Sequence, residues 1–308
     1  MKLATRINSF AGKGKNIIEI LQQIASIDGI NYVDLNYPEH FVDVDFSLLK
    51  TTLEELNLKV NGIALRFRDE FINGELGNQS DDISKNALKL CEEAVHMCKA
   101  LNGSLVTIWL GYDGFDYSFQ LNYANAWRKV VENMKIITNI DPTINISIEY
   151  KPFQPRAYSL VPDIGSTLLL TNDVKSDNIG VTLDFCHMLM KGENPAYGLC
   201  QTFERNKLFG VHLNDGQRMN DDGLIIGSVN FIQTLEFIYY LKKYQYDGVI
   251  YFDTFPVRED PTIECRTNIK MLNKLYNTID SIGMVEIQKI IDDNDAISAQ
   301  DILMKCLK

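Results

Sequence analysis

The chain has 308 residues, 45% hydrophobic and 23% charged, enough apolar material for a sizeable core and a length that fits two average domains or one large barrel. Its formal net charge is −11 and no basic run stands out, which sets it against nucleic acid, whose phosphates need a positive stripe. MKLATRINSF turns polar too early for a secretory leader and no apolar run approaches the ~20 residues of a membrane span, so the expectation is a cytoplasmic protein with no membrane partner.

The pattern predicts a first strand over Lys2–Ile7, then a helix over Asn16–Ile27 with apolar residues at helical spacing. Between them NSFAGKGKN fits neither GxGxxG nor GxxxxGK[ST], which argues against an open dinucleotide- or nucleotide-binding sheet. Strands follow over Tyr32–Leu35 and Val60–Arg66, and Ser84–Leu101 carries a one-sided apolar stripe. A strand over Leu105–Leu110, a helix over Trp127–Ile140 and a strand over Ile144–Tyr150 come next. Gly180–Asp184 and Phe209–Leu213 read as strands, Asn230–Tyr244 as a helix, and Val249–Asp253 as the last strand. Strand–helix alternation, eight times over at ~35 residues per unit, predicts an α/β fold: one closed (β/α)8 TIM barrel over residues 1–278. Residues 279–308 read as a C-terminal helical extension, either a cap on the barrel bottom or an arm against another subunit. The six cysteines (Cys91, Cys98, Cys186, Cys200, Cys265, Cys306) show no CxxC pairing and read as reduced thiols.

Chemistry in such a barrel sits where strands end. The fifth strand ends Glu149-Tyr150-Lys151, the sixth Leu183-Asp184-Phe185-Cys186-His187, the seventh His212-Leu213-Asn214-Asp215, the eighth Phe252-Asp253. Any one of these is ordinarily a helix cap or a structural histidine. Four on consecutive strands face one another across the mouth, where carboxylates repel and raise each other's pKa. A divalent cation removes that conflict. Oxygen-rich ligands with an imidazole suit Mn2+ first, then Mg2+ or Co2+, over structural zinc. The reading places Glu149, Asp184, His212 and Asp253 on a first ion. In VHLNDGQRMNDDGL (211–224), Asp222, with Asp221 or Asn220, is expected to reach a second ion shared with Asp184 and His187; the alternative is a DDG turn.

Glu149-x-Lys151-Pro, LD-x-x-H over 183–187, H-x-N-D over 212–215 and FD over 252–253, in that order, resemble the xylose isomerase-like barrel superfamily. The resemblance runs from about the fourth strand to Arg258 and looks closest to L-rhamnose isomerase-type enzymes. It implies a metal-dependent isomerase that interconverts an unphosphorylated aldose and ketose, with one or two divalent ions, a monosaccharide partner and a homodimeric or homotetrameric state. Catalytic roles would fall to Glu149, Lys151, Asp184, His187 and Asp253. Trp109 resembles the tryptophan that walls the sugar pocket, Lys151 the lysine that meets a substrate oxygen, and Arg218 fits the histidine-to-arginine spacing of the family's epimerases; with His187 these form the expected substrate contacts.

Some features depart from the pattern. The D-x-D pair of the second ion is here Asn220-Asp221-Asp222, and LRFRDEF (65–71) lacks the early histidine of xylose isomerase proper. The alternative is a ketose 3-epimerase, or a related sugar or inosose epimerase-isomerase. Its last ligand is glutamate, and Asp253 is one methylene shorter, which favours isomerisation. A related barrel cleaves DNA at abasic sites with three zinc ions. It needs more histidines than this chain's four, of which His96 falls in a helix and His40 follows the second strand.

Overall fold

The computed structural model describes residues 1–12 and 14–306. Eight parallel strands close on themselves: β1 (Lys2–Thr5), β2 (Tyr32–Tyr37), β3 (Lys59–Leu65), β4 (Leu105–Ile108), β5 (Asn145–Glu149), β6 (Ile179–Asp184), β7 (Leu208–Leu213) and β8 (Val249–Phe252). β1 pairs with both β2 and β8, which shuts the cylinder. Strands so enclosed have helices outside and side chains within, so they read as continuous apolar runs. All four residues of β4 and all six of β6 are buried. A two-residue antiparallel pair, Gly114–Phe115 with Tyr158–Ser159, sits apart from the barrel sheet.

The helices are α1 (Ile17–Ala25), α2 (Phe46–Glu55), α3 (Asp81–Ala100), α4 (Tyr123–Ile140), α5 (Ile164–Val174), α6 (Phe185–Lys191), α7 (Pro195–Phe203), α8 (Phe231–Lys243), α9 (Pro261–Ile282), α10 (Met284–Asp292) and α11 (Ala296–Cys306). Local chemistry sets their starts. Asn16 and Glu19 form a capping box on α1. Asp163 and Ser166 do the same on α5. Pro261 opens α9 behind an Asp260 cap. The expected boundary at 278/279 falls inside α9, because Cys265, Leu272, Leu275 and Ile279 form one continuous buried stripe. Beyond it α10 buries Ile287 and Ile290, while α11 buries none of its residues; 307–308, the end of the expected extension, lie outside the described residues. No helix among the described residues is long and apolar enough to cross a membrane.

The barrel wall is tight enough to predict a cost. A Cβ added at Gly62 in β3 would stand 2.5 Å from the backbone carbonyl oxygen of Leu105, an atom that no rotamer change can move. Gly62→Ala is expected to destabilise the fold by about 1–3 kcal/mol through overpacking. A lower urea midpoint with an unchanged slope would show it. An unshifted midpoint would mean that β3 and β4 separate freely.

Candidate active site

Glu149 closes β5, Asp184 closes β6, His212 lies one residue before the end of β7 and Asp253 follows β8 directly. One ligand atom from each lies within 4.8 Å of the other three, and all four residues are buried. Asp184, His187 and Asp221 form a second such group. Asp184 therefore belongs to both. It also caps the helix it precedes, its Oδ1 accepting the backbone N–H of His187 at 2.9 Å. That cap fixes the first turn of α6 and brings the His187 ring over the mouth.

The imidazoles stand among the carboxylates. His212 Nδ1 is 3.3 Å from Glu149 Oε1, His187 Nδ1 is 3.8 Å from the same oxygen, and His187 Nε2 is 3.2 Å from Asp221 Oδ2. Lys151 Nζ donates to Asp221 Oδ2 at 3.0 Å and lies 5.4 Å from the centroid of the Trp109 ring. Burial drives Asp184 up to about 7, with Asp221, Glu149 and Asp253 adding repulsion that His187 only partly offsets. Burial also raises Asp253, against the pull of Arg6 and His212. At Glu149 burial is outweighed by His212 and His187, which bring it down to about 2. Burial would lower both imidazoles, but Glu149 beside His212 and Asp184 beside His187 raise each to about 9.

Among the described residues, four atoms here have no hydrogen-bond partner: Nδ1 of His187, Nδ1 of His212, Oδ1 of Asp221 and Oδ1 of Asp253. Each such buried orphan costs about 1–3 kcal/mol. They converge on the two clusters, and their chemistry, imidazole nitrogen with carboxylate oxygen, is that of a divalent-cation site. The residues present therefore fit a metal ion.

Asn214 braces the cluster from behind. Its amide donates to Asp184 Oδ2 at 3.1 Å and to the Asp253 carbonyl at 3.1 Å, and its oxygen accepts the Cys186 N–H at 2.8 Å. Asp215 serves the loop instead, accepting from the backbone of Val229 and Asn230 at 2.8 and 2.9 Å.

Two expected contacts lie elsewhere. Asp222 turns back on its own loop, where its Oδ2 accepts the Gln217 N–H at 2.6 Å, and Asn220 accepts from Gln154. Of that acidic stretch, Asp221 is the residue that enters the site. The bridge between Asp215 and Leu224 folds the loop and decides which side chain points inward. Arg218 adopts a left-handed backbone (φ 73°) and donates to Asn230 and Gln233, away from the mouth cavity. That cavity, about 150 Å3, is lined by Trp109, Glu149, Lys151, His187, Asp221 and Asp253, and by four residues the sequence reading did not assign: Arg6, Arg66, Arg68 and Phe255. Arg6 and Arg66 each follow the last residue of a strand. The strand-end rule, applied to the early strands as to the late ones, finds both.

Of the remaining histidines, His96 is exposed on α3 beside Glu92. His40 is buried in the turn after β2, its Nδ1 accepting the Asn36 N–H at 2.9 Å and its Nε2 2.5 Å from Asn8 Oδ1. Burial, and then the Arg66 and Arg6 cations, lower its pKa to about 3.

Metal and proton binding can both be tested. Asp184→Asn keeps an acceptor for the α6 cap but removes a charge from both clusters, so Mn2+ bound per chain after equilibrium dialysis should fall close to zero. Asp221→Asn should remove only the second ion. Equal metal content in wild type and Asp184→Asn would refute the shared-ligand arrangement. For His40, the unfolded chain takes up a proton near pH 6.5 and the folded chain only near 3, so stability present above pH 6.5 is lost as pH falls through that window. Its share between pH 6.5 and 5 is about 1.5 kcal/mol. Urea melts of His40→Gln should therefore be flatter than wild type by that amount over this range; parallel profiles would contradict a neutral buried imidazole.

A family model described as a xylose isomerase-like TIM barrel matches residues 21–275. The chain is 25% identical over 220 residues to xylose isomerase of Thermus thermophilus, covering 68% of this chain and 57% of that protein. It is 26% identical over 245 residues to a Rhizobium meliloti protein named probable sugar isomerase, covering 73% and 55%. It thus spans little more than half the length of these relatives. A crystal structure of a D-tagatose 3-epimerase-like protein shares the fold at TM-score 0.73 and 19% identity, over 91% of this chain and 99% of that one. Solved 3-epimerases of psicose, ribulose and allulose follow at TM-scores of 0.66–0.69 and 15–18% identity, over 89–96% of this chain and 95–99% of theirs. Another neighbour, at TM-score 0.67 and 17% identity over 91% and 97%, was solved with a zinc atom bound. At such identities the likeness speaks for the fold alone. The extent of the family match and the closed eight-stranded barrel make this chain a member of the xylose isomerase-like TIM barrel family.

Proposed function

We propose that the chain is a divalent-metal-dependent sugar isomerase that interconverts an aldose and its ketose. The observation that carries this reading is the second cluster, Asp184, His187 and Asp221, joined to the first through one carboxylate. Two adjoining positions suit a reaction that engages neighbouring oxygens of an open-chain sugar. Mn2+, Mg2+ or Co2+, held by Glu149, Asp184, His212 and Asp253 with a second ion on Asp184, His187 and Asp221, would supply Lewis acidity to those oxygens.

The chain's own groups do the rest. Lys151 Nζ is buried, held by Asp221 and by the Trp109 face, and donates a hydrogen bond to the substrate oxygen on which negative charge develops. Trp109 offers an apolar face to the sugar's C–H side. Arg6 pairs with Asp253 at 3.3 Å and keeps that carboxylate oriented from outside the cluster. Burial of Glu149, Asp184, His187 and His212 excludes water, which strengthens each of these interactions.

A second reading, epimerisation of a ketose at its third carbon, is favoured by the likeness in fold to solved 3-epimerases. Glu149 and Asp253 would then pass the proton. One experiment separates the two. Mn2+-loaded protein is incubated with a panel of ketoses in deuterated water and followed by NMR. An aldose product is expected; a ketose inverted and deuterated at carbon 3 would establish the second reading instead, and no turnover would reject both. Lys151→Met should lower kcat by roughly 10²–10³-fold with little change in KM, since its hydrogen bond is made chiefly in the transition state.

A further inference from the structure

The barrel brings together what the sequence keeps apart. Arg6 follows β1, Arg66 and Arg68 follow β3, and Lys151 follows β5, yet all four line one cavity of about 150 Å3. They do so in a chain whose net charge is −11. Their partners differ. Lys151 is taken up by Asp221. Arg6 is held between Asp253 and the face of Phe255, its Cζ 4.7 Å from that ring's centroid. Arg66 and Arg68 have no ion-pair partner and donate no side-chain hydrogen bond among the described residues.

The charge count gives these arginines a meaning. With His187 and His212 counted neutral, as imidazoles that hold a metal are, Glu149, Asp184, Asp221 and Asp253 balance Arg6, Arg66, Arg68 and Lys151 at the mouth. Each divalent ion then adds two positive charges. Asp34, buried on β2 in the same field, offsets only one of them. A loaded mouth is therefore electropositive, with two unpaired guanidinium groups at its rim. A neutral sugar leaves that excess uncompensated at the buried cluster and the half-buried Arg66, while Arg68 stands exposed at the entrance. An oxyanion compensates it, and the planar fork of a guanidinium matches a carboxylate in bidentate fashion.

Resting on the isomerase reading above, we propose that the substrate is an acidic sugar whose oxyanion, a carboxylate in the first place, is held by Arg66 and Arg68 while its hydroxyl-bearing end lies at the metal cluster. The cavity is small beside the roughly 300–1,000 Å3 that drug-sized ligands occupy, which suits a monosaccharide acid.

The test is calorimetric binding to the Mn2+-loaded full chain of two matched sets: glucose, glucuronate and glucose 6-phosphate, and galactose, galacturonate and galactose 6-phosphate. In at least one set the acidic member is expected to bind about tenfold or more tighter than the neutral one. The Arg66→Gln/Arg68→Gln double variant should lose that preference while carrying the same Mn2+ per chain, which also verifies its fold. A preference for the phosphate would support the oxyanion site and remove the unphosphorylated part of the reading. Equal binding of neutral and acidic members overturns the proposal and leaves the isomerase standing. So does a preference that survives in the double variant, since the anion would then be held by the metal. Failure of every sugar to bind would overturn both.

Discussion

Like charges buried side by side repel with little solvent to screen them, and everything at the mouth of this barrel answers to that fact. Glu149, Asp184, Asp221 and Asp253 are gathered there, and burial, with the repulsion of the other three added, pushes Asp184 up to about 7. The chain relieves part of the strain with His187, His212, Lys151 and Arg6, each within 4 Å of one of these acids. It leaves Nδ1 of His187 and Oδ1 of Asp221 without a hydrogen bond among the described residues, and Nδ1 of His212 and Oδ1 of Asp253 with a charge contact at 3.3 Å but no hydrogen bond, a deficit that a cation would take up. The site is thus built as half of an ionic structure.

Holding such a cluster together requires groups that are neutral and fully bonded. Asn214 is one, tying β6 to β8 through Asp184 and the Asp253 carbonyl. The loops before α3 and after β4 are tied to each other by two buried carboxyls. Asp113 accepts the backbone N–H groups of Glu75 and Gly77, and Glu75 accepts that of Tyr112. Burial raises both carboxyls, Asp113 to about 6 and Glu75 well beyond its usual range. The short stretch from 212 to 215 divides its labour: His212 faces the cluster, Asn214 braces it and Asp215 pins the following loop.

The barrel was legible because its evidence is repetitive: apolar runs of strand length alternating with one-sided helical stripes. Glu149, Asp184, His212 and Asp253 were legible because each stands at a strand end, where direction follows from the strand itself. Asp221 and Asp222 were not separable in sequence. Which of two adjacent carboxylates points inward depends on backbone angles set by the Asp215–Leu224 bridge, and no local pattern encodes these. Arg218 failed for a related reason, since spacing from His212 fixes distance along the chain but not orientation. The absence of a basic run concealed the arginines of the mouth. Arg6 and Lys151 lie far apart in sequence, and only ring closure between β1 and β8 makes them neighbours of one cavity.

That closure also divides the molecule. Every residue of the two acidic clusters comes from β5 to β8 or the segments that follow them. Arg6, Arg66, Arg68 and Trp109 belong to the other half-barrel. Arg6, through Asp253, and Trp109, through Lys151, tie the halves together. Among the described residues Arg66 and Arg68 make no such tie, so a change at the end of β3 can alter which molecule is admitted while the residues that gather the charge stay as they are, and a lineage built on this scaffold can exchange one substrate for another there.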